Sequence, residues 1–243
     1  MRWKCICAYD GTNFCGWQSQ ANHLAVQNLL EERLQFIFKK FIRIHGSSRT
    51  DSGVHAKHQV FHFDANWTHG AEHLKMAINS RLGHNIRILS VKETDDQFHA
   101  RFSVKRKTYR YHFQLTPATP FEYPYVWDLS GKNFNLDHLK KAASLFIGKH
   151  DFRGFAGKVL PEENCIKTLY STKLFSENNQ WIFETIGSGY LYRMVRMIMG
   201  TLVMCGYGKI DFDFIEQRLQ LKNLSYPIVT APARGLFLEN VEY

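Results

Sequence analysis

Alternation of apolar and polar residues near the start of the chain predicts a β-strand over Trp3 to Tyr9. Apolar residues at helical spacing follow, at Val26, Leu29, Leu30, Leu34, Ile37 and Phe38. The pattern then indicates a strand over 57–64, a helix over 71–82 and a strand over 86–91. This β-α-β-α-β order is typical of a ferredoxin-like subdomain.

The second half of the chain shows a similar order of elements. A strand is predicted over 108–114, after which the proline-rich stretch 116–124 interrupts regular structure. Asn135 is a candidate N-cap for a helix that runs to Ile147. The remaining predicted elements are strands at 166–175 and 181–186 joined by a turn at 177–179, helices at 190–205 and 212–221, and a strand at 236–243.

These elements predict an α+β fold of two ferredoxin-like, or RRM-like, subdomains with mostly antiparallel sheets. The first subdomain is expected to span residues 1–104 and the second residues 105–243. Their similar order of elements suggests an internal duplication, although no residue-level repeat is visible.

Composition narrows the class of protein further. The chain has 243 residues, of which 44% are hydrophobic, and this excludes disorder. No window approaches the roughly 18 consecutive apolar residues of a membrane helix, and the start lacks the apolar region of a signal peptide, so we expect a cytoplasmic protein without a membrane partner. The five cysteines contain no C-x-x-C pair, which indicates reduced thiols rather than a disulfide framework or a zinc ribbon.

The charge balance favours a polyanionic partner. The net charge is +9 and the pI is about 9.3. Basic and aromatic residues alternate over Lys39–Arg43 and over 101–111, and cations beside aromatic faces suit RNA. The alternative is a strand with one solvated basic face and one buried aromatic face. We predict that Lys39–Arg43 and Lys105–Arg110 contribute to an RNA-binding surface.

Two charged features are unusual in their local setting. Asp51 is the single carboxylate of the tight turn GSSRTDSGVHA, directly after Arg49 and Thr50; it is either a turn or cap residue or a reactive group. Arg193 and Arg196 lie in an otherwise apolar predicted helix, where they either pair with an anion or reach the surface from its edge. A carboxylate in the first half and an arginine in the second could meet in a central active-site cleft between the subdomains.

Six ordered motifs resemble the bacterial tRNA pseudouridine synthase A family over nearly the whole chain. They are YDGTNFCGWQ (9–18), RTDSGVHA (49–56), FHARFS (98–103) with KTYRY (107–111), GKHDF (148–152), YRMVR (192–196) with GTLV (200–203), and GLFL (235–238) with VEY (241–243). Departures from the family pattern include Ser48, Ser52, Gly83-His84-Asn85 and Arg193; none of them removes a catalytic group.

The resemblance implies that Asp51 is the catalytic aspartate and Arg196 its basic partner. It also implies that Tyr109 contacts the target base and that Arg49 helps to open the helix and hold the flipped nucleotide. The implied activity is isomerisation of uridine to pseudouridine in the anticodon stem-loop of tRNA, at positions 38, 39 and 40. The family forms homodimers, and an isomerisation without redox change requires no cofactor and no metal.

Other readings of the same residues stay open at this point. A pseudouridine synthase of another RNA specificity fits the chemistry equally well, and a non-catalytic RNA-binding protein fits the charge. Tyr109 alternates with Tyr111 and Phe113, as a residue of a sheet core does. His55, His58 and His62 with Asp51 are the one tempting metal constellation. It is disfavoured, because His58 and His62 share a strand face with Val60 while His55 is expected in the turn.

Overall fold

The computed structural model describes residues 1–21, 23–131 and 133–243. In the first part of the chain, its elements are β1 (Arg2–Tyr9), α1 (Val26–Phe38), β2 (His45–Gly46), β3 (His55–Asp64), α2 (Ala71–Asn79) and β4 (Ile86–Thr94).

The second part continues with β5 (Arg106–Gln114), β6 (Trp127–Asp128), α3 (Leu136–Ser144), β7 (Gly148–Asp151), β8 (Ile166–Glu177), β9 (Gln180–Gly187), α4 (Met194–Gly206), α5 (Phe212–Leu219) and β10 (Leu236–Glu242). Three short 3₁₀ turns, at Tyr123–Tyr125, Phe152–Phe155 and Ala233–Gly235, complete the elements of the described residues.

The chain divides into two units. The first unit contains residues 1–105 and 237–243, and the second contains residues 106–236. Residues 237–243 follow the second unit in sequence but belong to the first, because Phe237 and Leu238 pair in parallel with His55 and Ala56 of β3.

The sheet of the first unit has the order β4-β1-β3-β10, with the short β2 paired to β3. β1 is antiparallel to both β3 and β4. Alternate residues of β1 are buried, which explains why its pattern was visible in the sequence. α2 packs on β4 and α1, and the buried side chains of α1, including Val26, Leu30 and Leu34, contribute to the core.

The sheet of the second unit has the order β5-β9-β8-β7, all antiparallel, with β6 added in parallel to β5. α3 packs on α4 and β8. α4 is apolar nearly all round, and 11 of its 13 residues are buried, as expected for a helix inside a core. Mixed α and β content with mostly antiparallel pairing is therefore confirmed.

Several local predictions were wrong. The helices predicted over 71–82 and up to Ile147 end at Asn79 and Ser144. The helix predicted from residue 190 begins at Met194, because Arg193 has a φ of 60°, in the left-handed region, and precedes the helix as an exposed residue. His55 was expected in the turn but is the first residue of β3. No helix within residues 1–21, 23–131 and 133–243 is long and apolar enough to cross a membrane.

Candidate active site

Asp51 lies half-buried in the loop that joins β2 to β3. We call residues 47–54 the Asp51 loop. The Val54 N–H donates to the Asp51 carbonyl oxygen at 3.1 Å and closes a tight turn around Gly53, whose φ is 77°. The turn thus requires glycine at position 53, because other residues rarely adopt a positive φ. Arg49, two residues before Asp51, is exposed, so the loop presents a cation and a carboxylate on nearby positions.

The segment after β1 is joined to the Asp51 loop by hydrogen bonds. The Phe14 carbonyl accepts from the Gly53 N–H and from the Ser52 hydroxyl, both at 3.2 Å. The Trp17 N–H donates to the Thr50 carbonyl at 3.1 Å. The YDGTNFCGWQ and RTDSGVHA motifs therefore form one structure, in which backbone hydrogen bonds fix the path of the loop on both sides of Asp51.

Two glycines make this close approach possible. A Cβ at Gly11 would lie 2.0 Å from the Val54 carbonyl oxygen, and a Cβ at Gly16 would lie 2.5 Å from the Thr50 carbonyl oxygen. Gly16 also has a φ of 88°. No side chain fits at either position without displacement of the loop backbone.

Gln59 on β3 holds the other end of the loop. Its side chain is fully buried, and its Oε1 accepts from the Ser47 hydroxyl at 2.7 Å and from the Ser48 N–H at 3.2 Å. Its Nε2 donates to the Ser48 carbonyl at 2.8 Å. Sequence reasoning missed this role; the available signal was an uncharged polar residue within the apolar part of a predicted strand.

His55 links the loop to the first motif and to β10. Its buried ring accepts from the Gly11 N–H through Nδ1 at 3.0 Å, and Asp10 Oδ1 lies 3.1 Å from the same nitrogen. The ring stacks on Phe237, with centroids 4.6 Å apart. His55 is therefore packed among protein groups at the base of the loop.

The other two candidate residues lie in the second unit. Tyr109 on β5 is only 6% exposed and stands opposite Thr185 of β9. Its ring meets that of Tyr190 edge to face, with centroids 5.0 Å apart. The Tyr190 hydroxyl in turn lies 3.2 Å from Thr185 Oγ1, and burial raises the pKa of Tyr190 well above its usual value. Tyr109 is thus held in a fixed aromatic environment.

Arg196 on α4 is half-buried and forms hydrogen bonds with the segment that contains Ala231. Its Nε donates to the Ala231 carbonyl at 2.8 Å, and the Ala231 N–H donates back to the Arg196 carbonyl at 3.0 Å. The contact depends on Gly200, where a Cβ would lie 1.8 Å from the Val229 carbonyl oxygen. These two hydrogen bonds between Arg196 and Ala231 fix the direction of the arginine side chain within its unit.

The two basic segments predicted from the sequence are not uniformly basic surfaces. Arg43 pairs with the buried carboxylate of Glu31 at 3.1 Å. Arg110 pairs with Glu184 at 2.8 Å, directly across the β5–β9 ladder. In both segments one arginine is therefore neutralised by a carboxylate of its own unit.

Three histidines of the first unit pack against one another in a cluster. His62 stacks on His45 at 5.0 Å and meets His99 at 4.7 Å between centroids. The His62 Nδ1 accepts from the Ala100 N–H at 3.1 Å, and burial, with the neighbouring His99, lowers the pKa of His62 to about 4. Within the part of the chain that the structure describes, no group of three His, Cys, Asp or Glu side chains is arranged to hold a metal ion.

The structure thus places Asp51 and Arg49 on one loop of the first unit, and Tyr109 on β5 and Arg196 on α4 of the second. Their individual surroundings are ordered by hydrogen bonds and packing. Their roles in a reaction stay predictions.

Comparison with known proteins defines the class. A family model described as tRNA pseudouridine synthase matches residues 6–103 and 142–243, and these segments include Asp51, Arg49 and Arg196 but not Tyr109. Because the match covers most of the chain, the chain belongs to this family of tRNA pseudouridine synthases.

Curated relatives narrow the family to one branch. The chain is 38% identical over 250 aligned positions to "tRNA pseudouridine synthase A 1" of Bacillus cereus strain ATCC 14579, covering 100% of this chain and 98% of that protein. It is also 38% identical over 242 positions to "tRNA pseudouridine synthase A" of Thermoanaerobacter sp. strain X514, covering 98% of each. The resemblance found in the sequence motifs is confirmed at the level of the family.

A solved structure shows a weaker likeness. The chain resembles a chain of the "Crystal Structure of a Cbf5-Nop10-Gar1 Complex" with a TM-score of 0.31 and 8% identity, covering 82% of this chain and 54% of that one. A likeness at this level carries no argument about fold or function.

Proposed function

We infer that the protein is an isomerase that converts uridine to pseudouridine in tRNA. The observation that carries this conclusion is the family match over most of the chain, together with a carboxylate held on a backbone-fixed loop inside one of the matched segments. The net charge of +9 is consistent with an RNA substrate.

The reaction explains why a single carboxylate suffices. The N1–C1′ glycosidic bond breaks, the uracil turns so that C5 faces C1′, and a C5–C1′ bond forms. C5 then loses its hydrogen and N1 gains a proton, so that atoms and electrons balance without an outside reactant. An ionised carboxylate can add to the sugar or base, or remove a proton from the sugar. We propose that Asp51 is this group.

The remaining roles are proposed from the motifs and supported by the local geometry. Arg196 is the basic partner of Asp51, and an arginine does not itself lose a proton in proteins. Tyr109 contacts the uracil, which would recover part of the few kcal/mol spent in extracting a base. Arg49, exposed beside Asp51, opens the helix and holds the nucleotide.

Several finer statements are also proposals. We propose the anticodon stem-loop, at positions 38, 39 and 40, as the place of modification, and a homodimer as the active form. Each of the two units is proposed to be a ferredoxin-like subdomain. The bounds 1–104 and 105–243 taken from the sequence differ from those of the units at residue 105 and at residues 237–243, which lie in the first unit. A cytoplasmic location follows from the proposed tRNA substrate.

Release of tritium from tRNA labelled at C5 of uridine tests the activity directly. We expect release by the wild-type protein and a loss of roughly 1,000-fold or more in Asp51→Asn, since the amide is neither a nucleophile nor a base. Asp96→Asn is the matched control, because Asp96 is exposed in the same unit, and it should retain wild-type release. Both variants should bind tRNA as the wild type does.

The outcomes separate the candidate functions. No release by the wild type from unmodified tRNA would contradict the proposed activity and leave RNA binding without catalysis. Release that persists in Asp51→Asn would keep the activity but remove Asp51 from its proposed role. Mapping the modified uridines by sequencing would then test positions 38, 39 and 40.

A further inference from the structure

An exposed phenylalanine at the end of α1 is surrounded by three cations. Phe36 is 49% exposed, and its ring centroid lies 5.0 Å from Arg33 Cζ, 4.4 Å from Lys39 Nζ and 4.8 Å from Arg81 Cζ. We call these four residues the Phe36 cluster. Arg81 is 45 positions distant from Phe36 in sequence, so the cluster is created by the fold and was not apparent from the segment Lys39–Arg43.

The fold builds this cluster through Arg33. The Arg33 guanidinium donates to the Ala77 carbonyl at 2.7 Å and to the Ser80 hydroxyl at 2.6 Å, where α2 ends. These bonds tie α1 to the end of α2 and bring Arg81 to the Phe36 ring. Lys39, with a φ of 56°, is the residue at which α1 ends, and its Nζ also lies near the ring. The cations are therefore gathered by an ordered helix pair.

Within residues 1–21, 23–131 and 133–243, no salt bridge joins a carboxylate to a cation of the Phe36 cluster. Among the residues that the structure describes, Lys39 and Arg81 form no salt bridge, in contrast to Arg43, which pairs with Glu31. Glu32, which precedes Arg33 on α1, forms none with the cluster either. The pKa of Arg33 is lowered by burial and, next, by the charge of Arg81, as expected for neighbouring like charges.

We propose that the Phe36 cluster binds the phosphate backbone of the tRNA. This proposal rests on the proposed function for the identity of the RNA. Three gathered cations without a counter-charge repel one another, and a polyanion relieves this repulsion while it releases its own counterions. Lys39 and Arg81 are exposed, so phosphates can reach them, while the buried Arg33 joins the two helices that hold them.

The position of the cluster indicates what it contributes. The Val26 N–H, at the start of α1, donates to the Gly16 carbonyl beneath the Asp51 loop. Phe36 is ten residues further along, which corresponds to about 15 Å of helix. Phosphate contacts at the end of α1 remote from Gly16 affect how tightly tRNA is held and leave the reaction at the uracil unchanged.

The test compares two double variants of the full chain. Lys39→Gln with Arg81→Gln removes two charges of the cluster. Arg87→Gln with Lys92→Gln removes two exposed charges of the same unit on β4 and serves as the matched control. Binding of unmodified tRNA is measured over a range of salt concentrations, tritium release at saturating tRNA gives the maximal rate, and light scattering gives the oligomeric state.

We expect the cluster variant to bind tRNA roughly tenfold more weakly near 0.1 M salt, with a salt slope smaller by about 1.5. Its maximal rate should stay within about twofold of wild type. The control pair should show a markedly smaller change of affinity and slope. Affinity loss of equal size in the two pairs would overturn the proposal, because it would reduce the effect to net charge.

Two further outcomes are decisive. A changed oligomeric state of the cluster variant alone would overturn the proposal in favour of a contact between copies of the chain. Failure of the proposed function is distinguishable, because binding is measured separately from turnover. The wild-type protein could release no tritium while the cluster variant still binds tRNA more weakly than the wild type does. This result would contradict the isomerase activity and support the proposed role of the Phe36 cluster.

Discussion

The two ends of α1 differ in how they are held in place. At its start, Val26 bonds to Gly16 beneath the Asp51 loop, and that loop is fixed by backbone hydrogen bonds and by glycines that allow no side chain. At its end, the Phe36 cluster is an exposed assembly of side chains around one ring. A reacting carboxylate needs a position fixed to within a fraction of an ångström, whereas phosphate contacts tolerate movement. Changes at the loop should therefore act on rate, and changes at the cluster on affinity.

After Asp51→Asn, the largest effect is expected at Gly11. A methyl group in Gly11→Ala would lie 2.0 Å from the Val54 carbonyl oxygen, so the Asp51 loop must move. We expect the maximal rate of tritium release to fall by at least about 100-fold, since displacement of a reacting group by about 1 Å has such an effect. Stability should fall by about 1–3 kcal/mol, as measured by urea unfolding.

Gly83→Ala is the control for this change, because nothing lies within 4 Å of the corresponding Cβ. It should leave the rate unchanged. A Gly11→Ala protein with a wild-type rate would show that the position of Asp51 does not depend on this contact, and the contrast between the two ends of α1 would lose its main support.

The stability of the first unit should also depend on pH, through a histidine of β3. His62, on β3 beyond the loop, packs against His45 and His99 and has a folded pKa of about 4, against about 6.5 when unfolded. Between pH 4 and pH 6.5, His62 is therefore protonated in the unfolded state and neutral in the folded state. The contribution of the neutral His62 to the free energy of unfolding is fully present above pH 6.5 and is lost as the pH falls towards 4.

We expect about 2 kcal/mol less stability at pH 5 than at pH 7.5 from this group, measured by urea unfolding. His62→Gln keeps an acceptor for the Ala100 N–H without titrating, and should remove most of the difference. The exposed His84→Gln should keep it. An unchanged pH dependence in His62→Gln would contradict the assignment.

The smallest effect is expected at the ring of the cluster itself. Phe36→Leu keeps all three cations and removes only the aromatic face, so tRNA affinity should fall about 2–5-fold with an unchanged maximal rate. Phe41→Leu is the control, because Phe41 is similarly exposed but its cation, Arg43, pairs with Glu31. Equal losses in the two variants would show that the ring does not organise the cluster.

Elements defined by local signals were predicted well from the sequence. The β8–β9 hairpin was expected at 177–179, and Asn178 and Asn179 there have φ values of 50° and 63°, which asparagine tolerates. Asn135 caps α3, as predicted, by accepting from the His138 N–H. In these cases the deciding interactions join residues only a few positions apart.

Features that depend on distant residues were not predictable in the same way. The start of α4 was placed too early, because apolar spacing continues into residues 190–193 although the backbone at Arg193 is left-handed. The parallel pairing of β10 with β3 joins residues 182 positions apart, at His55 and Phe237. Neither hydrophobic period nor turn chemistry contains that information.

In the candidate site, too, the local feature was predicted from the sequence and the contacts with distant residues were not. The sequence motif singled out Asp51 in a tight turn, and the turn is present around Gly53. The supports of the turn came from elsewhere: Gly11 and Gly16 from the segment after β1, and Gln59 from β3. Sequence order alone could not show that the first two motifs interlock, because their contact is made through backbone atoms of no distinctive type.

The pairing of β10 with β3 has a consequence for the order of folding during synthesis. The residues that carry the Asp51 loop are made early, but residues 237–243, which complete their sheet, are made only after all of the second unit. Nascent chains generally fold one region at a time as they emerge. The region that bears Asp51 is therefore begun first and finished last, so a ribosome that stalls within the second unit would leave its sheet with an open edge.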